Sequence, residues 1–334
     1  MKEWKKKSES VGKLASVFLV EALLIFVVIS SFGGWVVGQS GGNVTVNTFL
    51  KVGNVSPEVL NISINNDAST IDLVPNSTKT VTCQALVRDW NNDTTISNVV
   101  ARFFDGASSF YGDTDDNNYH YTNNSCLLNT SFGTWHGVVD SSYTALANCS
   151  FQVQYYANPV SWNCTAVVTD NTGLNGNGTQ NTTISQLLAV GLPSSINYGT
   201  VNGTFVSNEN ITNVSNKGNV KLNLSLSGYA DTPGDGYAMN CTLGSIKNID
   251  INYEKYNLTV SHPGELSLTQ FEANYTNLTS SSVVRKFNLS VRQNDTLSGV
   301  DDTNSTYWRI YVPKGVAGTC DGYIVFGASV APGN

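Results

Sequence analysis

Thr80 to Arg88 reads TVTCQALVR, with Val81, Cys83, Ala85 and Val87 on one face and mostly polar residues on the other. A two-residue period over that length is the signature of a half-buried β-strand. The pattern recurs on both sides at short spacing. Val99 to Phe104 follows the polar turn WNNDTTISN, and Thr144 to Tyr156 contains CSFQVQYY, with Cys149, Phe151 and Val153 inward. Asn163 to Thr169, NCTAVVT, sets Cys164, Ala166 and Val168 on one face, and Thr182 to Val190 closes the set. Short strands separated by polar turns predict a β-sandwich over residues 43–190.

Leu192-Pro193, just after TTISQLLAVG, marks a boundary with little room for a flexible linker. Beyond it, strands are expected at Ser195 to Thr200, Glu209 to Val214, Val220 to Ser227, Ile249 to Asn252, Arg285 to Arg292, Trp308 to Val312 and Tyr323 to Ala328. The cleanest is KGNVKLNLSLSG (217–228), which buries Val220, Leu222, Leu224 and Leu226. The expected architecture is therefore all-β, with two consecutive sandwich domains at 43–190 and 191–334. Residues 1–42 precede them as a lysine-rich tail and a transmembrane or signal helix.

That helix is read from Leu14 to Gly38, LASVFLVEALLIFVVISSFGGWVVG, where Glu21 is the one formal charge. A run of this length spans a hydrocarbon core as a helix. Five lysines within Met1 to Lys13 hold its N-terminus in the cytoplasm and send the rest of the chain outside. Three fates fit: an uncleaved anchor, a signal peptide cut after Gly38, and a pilin-type leader cut after Ser16. The last rests on VFLVEALLIFVVIS, which resembles the first helix of type IV pilins and places Glu21 fifth after the cut.

Past Gly38 the chain holds 13 basic and 22 acidic residues. An acidic surface without basic runs argues against a nucleic-acid partner. All six cysteines, Cys83, Cys126, Cys149, Cys164, Cys241 and Cys320, lie in this part. An even count without CxxC spacing, in an exported chain, reads as disulfides. Cys241 and Cys320 are the two in the second region and are expected to pair. N-x-[ST] acceptors are dense: Asn43, Asn54, Asn61, Asn76, Asn92, Asn123, Asn129, Asn148, Asn163, Asn177 and Asn181 in the first half. Asn202, Asn210, Asn213, Asn223, Asn240, Asn257, Asn274, Asn277, Asn288, Asn294 and Asn304 follow. These are 22 of 40 asparagines, where the Ser and Thr content alone would produce roughly eight. The excess points to a heavily N-glycosylated surface.

TCQALVRDWNN (82–92) and CTAVVTDNTG (164–173) resemble an early and a late strand of immunoglobulin-like modules in microbial surface proteins. The resemblance covers about 110 residues and implies an inter-sheet bridge between Cys83 and Cys164, with Cys126 paired to Cys149 and Trp162 packed over the bridge. INYGTV (196–201) and NKGNVKLNLSLSG resemble the opening of similar modules, and WRIYVPKGVAGTCDGYIVFGA (308–328) resembles their final hairpin. The few lysines, abundant Asn and Thr and N-terminal anchor resemble the style of archaeal surface proteins.

Chemistry is sparse. His120, His136 and His262 are the three histidines, and HExxH, GxSxG and a phosphate-cradling loop are absent. Asp301 and Asp302 read as turn residues. Asp113, Asp115 and Asn117 have the alternate spacing that opens a calcium loop but lack its Gly and distant Glu, so a solvated acidic loop is the plainer reading. The expectation is a non-catalytic, glycosylated structural or adhesive protein of the cell surface. Its partners are the membrane, other surface proteins or its own copies, and glycans. The rivals are a pilin-like or strand-exchanged filament subunit and a carbohydrate-binding module.

Overall fold

In a computed structural model of the protein, which describes residues 45–293 and 302–332, the chain beyond Asn54 is built from strands. The first half runs through β1 (Glu58–Ile64), β2 (Thr70–Ile71), β3 (Thr78–Arg88), β4 (Ile96–Asp105), β5 (His120–Asn123) and β6 (Leu127–Asn129). It continues with β7 (Thr134–Trp135), β8 (Val138–Val139), β9 (Thr144–Gln154), β10 (Ser161–Asp170) and β11 (Asn175–Ile184). One sheet has the order β1-β3-β9-β6 and the facing sheet β2-β11-β10-β4-β5. Alternate residues of β3, β9 and β10 fill the space between them, among them Val81, Ala85, Val87, Phe151, Val153 and Val168. Trp162 is fully buried and stacks on Phe103, with ring centroids 4.8 Å apart.

The turns at the strand ends follow from aspartates that cap their own backbone. Asp89, fully buried, accepts from Asn91 N and from Thr95 Oγ1. Asp170 accepts from Thr172 N and Leu174 N, and Gly173 between them takes φ +91°, where a side chain would be strained. Burial alone would raise the Asp170 carboxyl, but bonds from Asn54, Leu174 and Thr172 hold it near 2.

The second half comprises β12 (Val190–Gly191), β13 (Asn210–Asn216), β14 (Leu222–Tyr229), β15 (Tyr237–Gly244), β16 (Asn248–Asp250) and β17 (Glu254–Asn257). A short helix, α1 (Leu268–Asn274), precedes β18 (Thr276–Asn277), β19 (Val283–Leu289), β20 (Thr303–Ile310), β21 (Val316–Asp321) and β22 (Tyr323–Val330). A five-stranded sheet, β12-β13-β20-β17-β18, lies against β19-β14-β22 and β16-β15-β21 around a second core. Val220, Leu222, Leu224 and Leu226 are all buried there. The halves are stitched together: Leu187 N donates to Asn219 Oδ1, Asn219 Nδ2 to Ser185 O, and Lys217 N to Ala189 O.

Three expectations are corrected and one element is added. The strand closing the first half begins at Asn175 rather than Thr182, and Val190 pairs with β13 instead. NGNG is poor strand sequence by propensity, but β1 crosses so closely that a Cβ on Gly176 would lie 2.0 Å from Pro57 O. Ser195 to Thr200 forms no strand. The stretch 308–328 is not one hairpin: β20 pairs with β13 and β17, whereas β22 pairs with β14. Helix α1 is an addition, nucleated by a capping box in which Ser267 Oγ accepts from Gln270 N and Gln270 Oε1 from Ser267 N. Leu14 to Gly38, Asn43, Asn294 and Asp301 lie outside the described residues. Among the described residues no helix is long and apolar enough to cross a membrane.

Candidate functional site

The loss of the expected strand at 195–200 creates the most chemically distinctive feature. The segment folds over the second core so that Tyr198 OH donates to Glu254 Oε1 at 2.8 Å. Glu254 opens β17, is 1% exposed, and its Oε2 has no hydrogen-bond partner. Burial drives this carboxyl up to about 7 against the pull of the Tyr198 hydrogen bond, and burial beside Glu254 holds the Tyr198 phenol well above its ordinary value. A cleft of about 360 Å³ reaches the pair, walled by Ile196, Met239, Phe326 and Tyr323, with Asp321 also lining it. Tyr198 lines a second, open cleft of about 610 Å³ with Phe205, Glu265 and Leu268.

A buried carboxyl of this kind has a signed consequence. Its folded value lies above the ordinary 4.5, so the unfolded chain ionises first and stability falls as pH rises from about 4.5 through 7. The whole effect is roughly 3 kcal/mol. Denaturant titrations between pH 5 and 7 should therefore show declining stability, and Glu254→Gln should flatten that decline. An unchanged slope in the variant assigns it to other groups.

Behind this cleft a second buried network organises the 261–264 turn. Arg309, fully buried on β20, donates from Nη1 to Ser207 O at 2.6 Å and from Nη2 to His262 O and Gly264 O. Its Nε donates to Tyr275 OH, which in turn donates to Glu209. Glu209 also accepts from Ser261 Oγ and His262 N. Burial pushes its carboxyl up, yet these donors leave it below the usual range. Sequence reasoning missed Glu209, Glu254 and Arg309, since none of them carries a sign of its partner until the fold surrounds it.

The singled-out acidic loop is not gathered into a ligand set. Asp113 Oδ2 accepts from Phe110 N and Ser109 Oγ, which keep it below its ordinary value, and Asn117 O accepts from Tyr121 OH. Asp115 is exposed. No group of three His, Cys, Asp or Glu among the described residues is placed to hold a metal. His120 is buried against Phe104 with Nδ1 2.8 Å from Ser109 Oγ, and burial lowers its pKa. His136 Nδ1 lies 3.4 Å from Asp67 Oδ2.

The six cysteines form Cys83–Cys164 between the two sheets of the first half, Cys126–Cys149 beside it, and Cys241–Cys320 across β15 and β21. Of the twenty sequon asparagines among the described residues, eleven are exposed and eight half-buried. Asn223 is 7% exposed. Its Oδ1 fills the irregularity between β14 and β19 by accepting from Phe287 N and Asn288 N.

No protein-family model and no curated protein matches the chain. Solved structures similar to it include a carbohydrate-binding module of the β-sandwich superfamily, at 11% identity and TM-score 0.24, covering 82% of this chain and 97% of that one. A chaperone–tip adhesin complex of CFA/I fimbriae aligns at 10% identity and TM-score 0.29, over 83% and 84% of the two chains. The C-terminal domain of the Streptococcus agalactiae AgI/II polypeptide BspA aligns at 12% and 0.20, over 82% and 99%. Each is a likeness in outline, and none passes a site to this chain.

Proposed function

We propose that this chain is an extracellular, N-glycosylated surface protein with a structural or adhesive role and no catalytic activity, held at the membrane by its N-terminal segment. The observation that carries the reading is the placement of its polar chemistry. Sequon asparagines such as Asn76, Asn148, Asn177 and Asn202 are exposed, whereas Cys83, Cys149 and Cys164 are fully buried as disulfides. Glycans on such sites solubilise and shield a chain that has few lysines and glutamates to do so.

Intact-mass and N-terminal peptide spectrometry on protein from its native envelope tests this. The expected result is a start at Met1 or Lys2, several modified exposed sequons and an unmodified Asn223. A start at Val17 would make it a filament subunit instead, and unmodified asparagines throughout would remove the glycosylated surface role.

A second reading, a ligand-binding module, is favoured by the Glu254 cleft, whose unpaired Oε2 suits a hydroxyl or amine donor. Glycan-array binding that is lost in Glu254→Gln supports it, and an array without signal removes it.

A further inference from the structure

Lys255 on β17 sits directly opposite Asn277 on β18 in an antiparallel pair. Its side chain is 2% exposed, and its Nζ is 2.5 Å from Glu272 Oε2 on α1. The same Nζ touches Asn277 Oδ1, and the Phe271 ring centroid lies 5.3 Å away. A lysine, an asparagine amide and a carboxylate therefore meet at one atom, against an aromatic ring.

We propose that Lys255 and Asn277 become joined by a side-chain isopeptide bond, with Glu272 moving the protons. The short hydrogen bond from Nζ gives its proton a destination on Glu272. The neutral Nζ then attacks Asn277 Cγ, the carbon that carries the oxygen it already touches. Glu272 returns that proton to Nδ2 as the Cγ–Nδ2 bond breaks, and the departing ammonia takes the second proton that Nζ must lose. Lysine ammonium and primary amide become a secondary amide and an ammonium ion, and Glu272 ends as the carboxylate it began as. The step needs no oxidant, cofactor or activated donor. Its rate comes from holding the reacting groups in contact within a folded sheet.

The bond would fasten β18 to β17 across the 22 residues that separate them. It also has a chemical corollary. Asn277 heads the sequon Asn-Leu-Thr, and the nitrogen a glycan would use is the one that leaves. Crosslink and glycan exclude each other at this asparagine.

The test is peptide mass spectrometry on the full chain, from its native envelope and from an exporting host without N-glycosylation. The expected result in both is one branched species joining the peptides of Lys255 and Asn277, lighter than their sum by one ammonia. Glu272→Ala, a change at a half-exposed helix position, should return two separate peptides while the three disulfides stay formed. Separate peptides in the wild-type chain, or a glycan on Asn277, would overturn the proposal. A bond that persists in Glu272→Ala would overturn the role given to Glu272.

Discussion

A Cys83→Ala/Cys164→Ala variant should lose about 4–5 kcal/mol of unfolding free energy in the chain-entropy description. The bridge joins β3 to β10 across the core at a sequence separation of 81, so its absence frees a long loop in the unfolded chain. Both cysteines are fully buried, and alanine leaves space where two sulfurs packed, which adds to the loss. Guanidinium titration under non-reducing conditions should show a lower midpoint and a steeper slope, because the uncrosslinked chain exposes more surface. The Cys126–Cys149 bridge closes only 23 residues, so its removal should cost less, roughly 3 kcal/mol. Equal losses from the two would show that strain or unfolded-state structure outweighs loop length.

Arg309→Met should be comparably damaging, at about 3–5 kcal/mol. Methionine fills much of the volume but leaves the carbonyls of Ser207, His262 and Gly264 without the donor that satisfies them. It also leaves Glu209 as a carboxylate without its nearby cation. Arg309→Lys should rescue little, because one ammonium cannot match the planar fork that reaches separated acceptors. The readouts are thermal unfolding and hydrogen exchange. Exchange should speed up first in the 261–268 segment, which hangs on this side chain, whereas a purely global loss would raise exchange evenly across β13 and β20.

Much of the strand pattern was legible because burial on one face of a sheet writes a period of two directly into the residues. Val81 to Val87, Cys149 to Val153 and Leu222 to Leu226 show it most plainly. The turn after β3 was legible too, since the polar stretch WNNDTTISN separates two alternating runs. Helix α1 was missed although its Ser267 and Gln270 capping box was present, because seven residues give too little periodicity to stand out from β-rich surroundings.

By itself, then, the sequence determined the all-β class, the buried faces of the central strands and the even set of cysteines, all of which are local or compositional properties. Only the tertiary structure decided that 195–200 is a cover rather than a strand. It alone separated β20 from β22, took Asn223 out of the solvent, and brought Glu254 to Tyr198, Arg309 to Glu209 and Lys255 to Asn277. Those pairs are 56, 100 and 22 residues apart. The reason is that a lone polar residue carries no sign of its environment. Its desolvation and its partner both arrive through contacts from distant strands.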